Sequence, residues 1–263
     1  MGVGGFELVY AGQRLLIDPF FTRIPLWKQF FGRLQPDIEL IERYAPPADH
    51  ILVTHAHNDH LLDVPSIALH TGAVVYGSPN TCRLCQLLGV PEAQIRLIEP
   101  GEALNLGPFR VEAVLAKHIW VPIFTPGPLS PNLHPPLRAL DYRMDEDYSY
   151  HIQVNGLRLA TEPGDPPANL PDLDVLFVLP YRRTAYYRTL LRESRIKRVI
   201  PTHWDDFWRP LSKPILAQRN PPGMAWPPLA RMDMAAWKRK IEQIAPGVKV
   251  LLPEIFVEYD LGI

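Results

Sequence analysis

Short apolar runs bounded by turn residues recur along the chain, and from residue 51 onward they alternate with stretches of helical periodicity. Residues 6–10 and 14–18 flank a turn at Gly12 and predict an opening hairpin. Strands are predicted over 51–53, 73–77, 95–98, 109–116, 173–180 and 198–201, and over 248–252, with 256–259 closing the sheet. Helices are predicted over 63–70, from Ser78-Pro79-Asn80 to Leu88-Gly89-Val90, over 186–193 and over 232–245. Residues 148–154 and 157–160 enclose Asn155-Gly156, whose tolerance of positive φ makes this the clearest hairpin. The run 173–180 is almost continuously apolar, as in a sheet covered on both faces.

Between the opening hairpin and residue 51, Ile24, Leu26, Trp27, Phe30, Phe31 and Leu34 recur at helical spacing, which predicts a core-facing stripe, with an insertion closing over a site as the alternative. Prolines crowd residues 119–140 and 209–228, so neither stretch reads as helix or central strand. Long loops of this kind are usually functional, so both are expected to wall an active site, with His134 on the first.

Composition narrows the picture modestly. A chain of 263 residues with 47% hydrophobic and 21% charged residues is an ordinary globular protein, read here as one domain over 1–263. A formal net charge of −1 gives no footprint for nucleic acid, and no nucleic-acid partner is expected. No signal pattern or bilayer-length apolar run appears, so a cytoplasmic protein without stable membrane insertion is expected. The only cysteines, Cys82 and Cys85, lie three apart in a predicted helix and read as packing residues. The 30 prolines are more than twice the usual ~5% and should stiffen the loops.

The chemistry concentrates in Thr54-His55-Ala56-His57-Asn58-Asp59-His60, directly after the strand 51–53. In an extended segment side chains two apart share a face, so His55 and His57 can bind one ion together. Asp59 and His60 are adjacent, so use of both requires the chain to bend there, before Leu61-Leu62 enters a helix. One histidine among nine is a packing residue by default, whereas four metal-competent groups within six residues at a strand end point to metal. His118 follows the strand 109–116 and His203 the strand 198–201, and Gly164-Asp165 lies just past the hairpin 148–160.

His55-Ala56-His57-Asn58-Asp59-His60 resembles the metal-binding signature of the metallo-β-lactamase superfamily, and Leu15-Leu16-Ile17-Asp18-Pro19-Phe20 and Trp204 are similar to its ascorbate-6-phosphate lactonase-like branch. The resemblance implies an α/β fold, the four-layer αββα sandwich. It also implies a binuclear centre in which His55, His57 and His118 hold one ion, Asp59, His60 and His203 the other, and Asp165 bridges them. Glu162-Pro163 stands where small residues are expected, and Glu162 is itself a further carboxylate. Asp18 either caps the turn before Pro19 or supports a ligand from behind. Two divalent metal ions are implied as cofactors; the imidazole-rich set suits zinc (Zn2+), with manganese (Mn2+) or iron (Fe) left open.

With two carboxylates and a bridging hydroxide such a centre stays positive, which favours an anionic ester or lactone as a small-molecule substrate of a hydrolase. Asp59 or Asp165 would be the proton acceptor. Arg182 and Arg183 read as solvated charge or as a clamp on the anion. Two alternatives stay open: a phosphodiesterase or phospholipase D-like hydrolase, and a non-catalytic metal-binding or sensory protein. A homo-oligomer is compatible with either.

Overall fold

The computed structural model describes residues 1–119, 125–165, 167, 170–193, 195–221 and 227–262. Parts of both proline-rich loops, including Pro122 and residues 222–226, lie outside the described residues.

Two sheets carry the architecture. The first, in the order β1-β2-β3-β4-β5, contains β1 (Phe6–Tyr10), β2 (Gln13–Ile17), β3 (His50–Leu52), β4 (Val74–Gly77) and β5 (Ile95–Leu97). The second contains β6 (Ala103–Leu106), β7 (Phe109–Leu115), β8 (Tyr148–Val154), β9 (Leu157–Ala160), β10 (Leu173–Val178), β11 (Ile196–Pro201) and β12 (Lys249–Val250), paired in sequence order. Pairing is parallel from β2 through β5 and from β9 through β12, and antiparallel from β6 to β9. The helices are α1 (Leu26–Phe31), α2 (Ile38–Tyr44), α3 (Asn58–Leu61), α4 (Val64–Thr71), α5 (Pro79–Leu87), α6 (Thr184–Glu193) and α7 (Met234–Ile244).

Alternation along the strands sorts side chains into three apolar layers. Leu15, Ile17 and Leu52 point between the sheets and meet Val111, Tyr150, Ile152, Val175 and Phe177 from the other side. Their neighbours Leu16, Ile51 and Val53 point outward and pack under α2, α4 and α5 through Ile41, Ile67 and Leu84. On the opposite sheet Leu176 and Val178 face outward against Tyr187, Leu190, Trp237 and Ile241 of α6 and α7. A period of two on buried strands therefore gives helix, sheet, sheet, helix, the expected αββα sandwich. The β8–β9 turn places Asn155 at φ 45° and Gly156 at φ 81°, as Asn-Gly predicts.

Two expectations fail. Residues 256–259 form no strand, and β12 is the sheet edge. Phe256 instead turns away at φ 64° to stack on Tyr44, with ring centroids 4.5 Å apart. In the 22–34 stretch only Ile24 and Leu34 are core; Leu26, Trp27, Phe30 and Phe31 are exposed, because the side chain that α1 buries is Gln29.

Candidate metal centre

The site gathers where strands of both sheets end, parallel β3 and β11 and antiparallel β7. After β3 the chain bends at Thr54, passes through His57 in extended conformation and enters the single turn α3, which carries Asp59 and His60. The required bend is thus a one-turn helix started by His57, whose carbonyl accepts from the amides of both His60 and Leu61. His118 follows β7 and His203 follows β11. His203 sits at φ 49°, a conformation unfavourable for a side chain with a Cβ, and is pinned by the bond its amide gives to Val3 O at 2.7 Å.

These residues converge in two groups, His55 with His57 and His118, and Asp59 with His60 and His203; within each, the candidate donor atoms lie within 4.8 Å of one another. His60 Nε2 and His203 Nε2 approach to 3.3 Å, and each is under 4 Å from Asp59 Oδ2. Asp59 Oδ1 is buried without a hydrogen-bond partner among the described residues. Four of the six side chains are buried, and a cavity of about 90 Å³ opens onto all six.

Carboxylates and carbonyls behind the rings fix their orientation. Asp18, at φ 46°, accepts from Thr54 N at 2.8 Å and Thr54 Oγ1 at 2.7 Å, and faces His60 Nδ1 at 2.8 Å. Of its two sequence readings, support of a ligand is therefore the one this geometry matches. Thr54 Oγ1 lies 3.0 Å and Asp147 Oδ1 3.2 Å from His55 Nδ1, and the Ile119 carbonyl lies 2.5 Å from His118 Nδ1. In each case Nδ1 faces an acceptor and Nε2 is left to face the centre.

Burial pushes His57 down to about 3 and His118 down to about 4, keeping both rings neutral near pH 7. His55 is lowered as well, by burial and then by the neighbouring His60. Burial opposes the charge on His60, yet Asp18 and Asp59 overcome it and raise the ring to about 9. Asp59 is held well below the usual carboxylate range by His60 and His203, against its own burial. A proton on His60 thus occupies a place suited to a cation. The fit to metal is good: three imidazoles that burial keeps neutral, one ionised carboxylate and a buried oxygen without a partner.

Asp165 does not join either group. Its backbone amide bonds to Lys117 O after a left-handed turn at Gly164, and its side chain is 54% exposed, 3.2 Å from Arg182 Nη1. The carboxylate at this strand end that lines the cavity is Glu162. It accepts from Leu179 N at 2.6 Å and from Arg182 Nη2 and Tyr186 OH at 3.0 Å each. Arg182 is consequently buried between two carboxylates and is not a free anion clamp, and Arg183 is exposed and does not line the cavity. Of the expected wall 119–140, Ile119 lines the cavity, whereas His134 is exposed and residues 125–140 do not line it. That loop packs on the helical layer, with Leu137 buried and its carbonyl accepting from Leu34 N. Nor do the described residues of 209–228 reach the cavity. The cysteines match a packing role: burial pushes Cys82 up to about 11 and Cys85 higher still.

Two contributors escaped the sequence reading. Asp147 closes the acidic run Asp145-Glu146-Asp147, which was visible but carried no spacing cue. Gly4 lies against the site so closely that a Cβ there would be 3.0 Å from His60 Cε1 and 3.1 Å from His203 Cε1. The signal for it was the glycine-rich stretch 2–5.

Residues 13–133 match the Beta-lactamase superfamily domain. The chain is 40% identical over 112 residues to a UPF0173 metal-dependent hydrolase of Cupriavidus taiwanensis, covering 41% of this chain and 36% of that one. It is 28% identical over 230 residues to a UPF0173 metal-dependent hydrolase of Polynucleobacter asymbioticus, covering 82% and 76%. The match to the first relative thus spans little more than a third of that protein's length. Among solved structures, the metallo hydrolase Igni18 of Ignicoccus hospitalis has a TM-score of 0.57 at 16% identity, covering 96% of this chain and 92% of its own. The metallo-beta-lactamase fold protein YhfI of Bacillus subtilis gives 0.53 at 11%, covering 96% and 90%. The diiron beta-hydroxylase CmlA of Streptomyces venezuelae gives 0.53 at 14%, covering 95% and 51%. The fold is therefore the metallo-β-lactamase fold, and the resemblance to that superfamily is shown in sequence over 13–133. None of these matches singles out the lactonase-like branch. Fold alone does not choose the reaction, since CmlA shares it.

Proposed function

We propose that this chain, 1–263 acting as one metallo-hydrolase domain, is a binuclear metal-dependent hydrolase of an anionic ester or lactone. The observation that supports it best is the pair of adjacent donor groups, His55 of one lying with its ring centroid 3.9 Å from that of His60 of the other, beside the partnerless Asp59 Oδ1. His55, His57 and His118 would hold one divalent ion and Asp59, His60 and His203 the other. Zinc suits this set. Two such ions would supply Lewis acidity and lower the pKa of a bound water toward neutrality.

The chain's own residues do the rest. Asp18 holds the proton of His60 on Nδ1 and Thr54 Oγ1 that of His55, with Asp147 alongside, presenting Nε2 inward. Asp59 supplies the anionic ligand and the nearest proton acceptor. Asp165, paired with Arg182, is assigned to balancing that arginine, and Glu162 to anchoring it at the cavity wall. The metal-dependent hydrolase names of the relatives support the reaction class.

The test couples metal analysis to hydrolysis across parallel panels of lactones, carboxylic esters and aryl phosphodiesters. The expected result is about two equivalents of transition metal, with turnover of a lactone or ester abolished in His203→Ala and His57→Ala. Absence of bound metal, or unchanged turnover in both variants, would overturn the proposal. Turnover confined to phosphodiesters would move the reaction to phosphorus, and metal binding without turnover on any panel would leave a sensory protein.

A further inference from the structure

The one-and-a-half turns of α1 expose four large apolar side chains in six residues: Leu26 at 50%, Trp27 at 66%, Phe30 at 52% and Phe31 at 85%. This display is built into the fold. A six-residue helix has too few hydrogen bonds to persist by itself. Here Pro25 starts it, and its buried Gln29 trades amide hydrogen bonds with Asn58 of α3 at 3.0 and 3.2 Å. Just beyond it, Arg33 Nη1 donates to Pro136 O and Leu34 is core. Gln29 spends the inward face on a polar lock, so the apolar residues are left on the outside.

Their combined area is on the order of 500 Å², from the ~150–250 Å² an aromatic side chain presents. A patch of that size is at the upper end of what a folded monomer exposes, where patches are often functional. Area does not choose the occupant, since an interface of ~800 Å² per partner is itself only about 56–58% apolar; the charge beside the patch does. The segment that carries the patch is basic, the next acids along the chain being Asp37 and Glu39 at the start of α2. Residues 23–36 contain Arg23, Lys28 and Arg33 and no acid. Arg23 is buried against Asp205 at 3.0 Å, while Arg33 is exposed and Lys28 half-buried. The cations left beside the patch are therefore those two.

We propose that the α1 face, Leu26, Trp27, Phe30 and Phe31 flanked by Lys28 and Arg33, docks on an anionic lipid surface. Aromatic rings settle at the headgroup level, and the two cations meet lipid phosphates. This is peripheral attachment; among the described residues no helix is long and apolar enough to cross a membrane. The inference is independent of the metal reading, since it concerns a face whose binding needs no turnover.

The test is co-sedimentation of the full chain with vesicles of phosphatidylcholine alone, or with one-third phosphatidylglycerol. Expected is binding to the anionic vesicles that weakens in high salt and on phosphatidylcholine alone. Partitioning should fall about tenfold or more in Trp27→Ala/Phe31→Ala and about fivefold in Lys28→Glu. Trp27→Phe should still bind but lose the vesicle-induced blue shift of tryptophan emission, and circular dichroism should show all variants folded. Failure of the wild type to sediment, or equal binding by the double variant, would overturn the proposal. So would a dimer that dissociates in the double variant, because the patch would then belong to a second copy.

Discussion

Replacing Asp18 by asparagine should leave the fold in place and weaken the metal centre. In the structure Oδ1 accepts from Thr54 N, while Oδ2 accepts from Thr54 Oγ1 and faces His60 Nδ1. The Thr54 amide can only donate, so asparagine must keep its oxygen there and turn its NH₂ toward His60. His60 Nδ1 then becomes an acceptor and its proton moves to Nε2, the atom 3.3 Å from His203 Nε2 and within reach of Asp59. A ligand position is lost to a proton. Loss of such an outer partner costs ~10–100-fold in metal affinity, equivalent to about 1.4–2.8 kcal/mol. Asp18→Ala differs in kind: it strands donors in a site only 2% exposed and should cost about 3–5 kcal/mol of stability. Chelator-competition titration with metal analysis reads the affinity, and denaturant unfolding of metal-free protein reads the stability. If Asp18→Asn binds metal as tightly as wild type, the tautomer argument is refuted.

Glu162→Gln should destabilise the protein by about 2–3 kcal/mol, since a charged group bonded by Leu179 N, Tyr186 and buried Arg182 is lost. Asp165→Asn, half-exposed, should cost under about 1 kcal/mol; equal losses in denaturant titrations would contradict the roles assigned to the pair. Gly4→Ala should lower bound metal about tenfold by crowding His60 and His203. Metal content after dialysis would show it, and full retention would mean the rings yield freely. Asp63 carries a pH signature. Burial lifts its carboxyl to about 6 against hydrogen bonds from Thr22 and Phe21, so between pH ~4 and ~6 the folded chain holds a proton that the unfolded chain releases. Its contribution is therefore full below pH ~4 and lost as pH rises through about 6. The stability of wild type relative to Asp63→Asn should decline across that window, and parallel melting curves would remove Asp63 as the cause.

Much of the architecture was legible because it depends on local pattern. Alternation on the strands, Asn155-Gly156 at the hairpin and histidines just past apolar runs are properties of neighbours in sequence. They predicted the layers and the strand ends where six of the seven expected ligands come together. The seventh, Asp165, stands outside both groups, beside Arg182. The left-handed step at Gly164 and the bond from Asp165 N to Lys117 O send its side chain outward, and whether Lys117 is nearby is not a local fact.

The same distinction separates the other outcomes. Sequence by itself determined which residue types cluster at the strand ends, because ligand chemistry and strand period are carried by adjacent residues. Only the tertiary structure decided which carboxylate stands behind which imidazole: Asp18 behind His60, and Asp147, ninety-two positions away, behind His55. It also decided that the stripe on α1 faces outward. Periodicity tells which side chains share a face, and the Gln29–Asn58 lock tells which face is turned inward. Hydrogen bonds between distant segments choose among arrangements that local propensity leaves equal, and in this chain they set both the orientation of the ligands and the exposure of the aromatic patch.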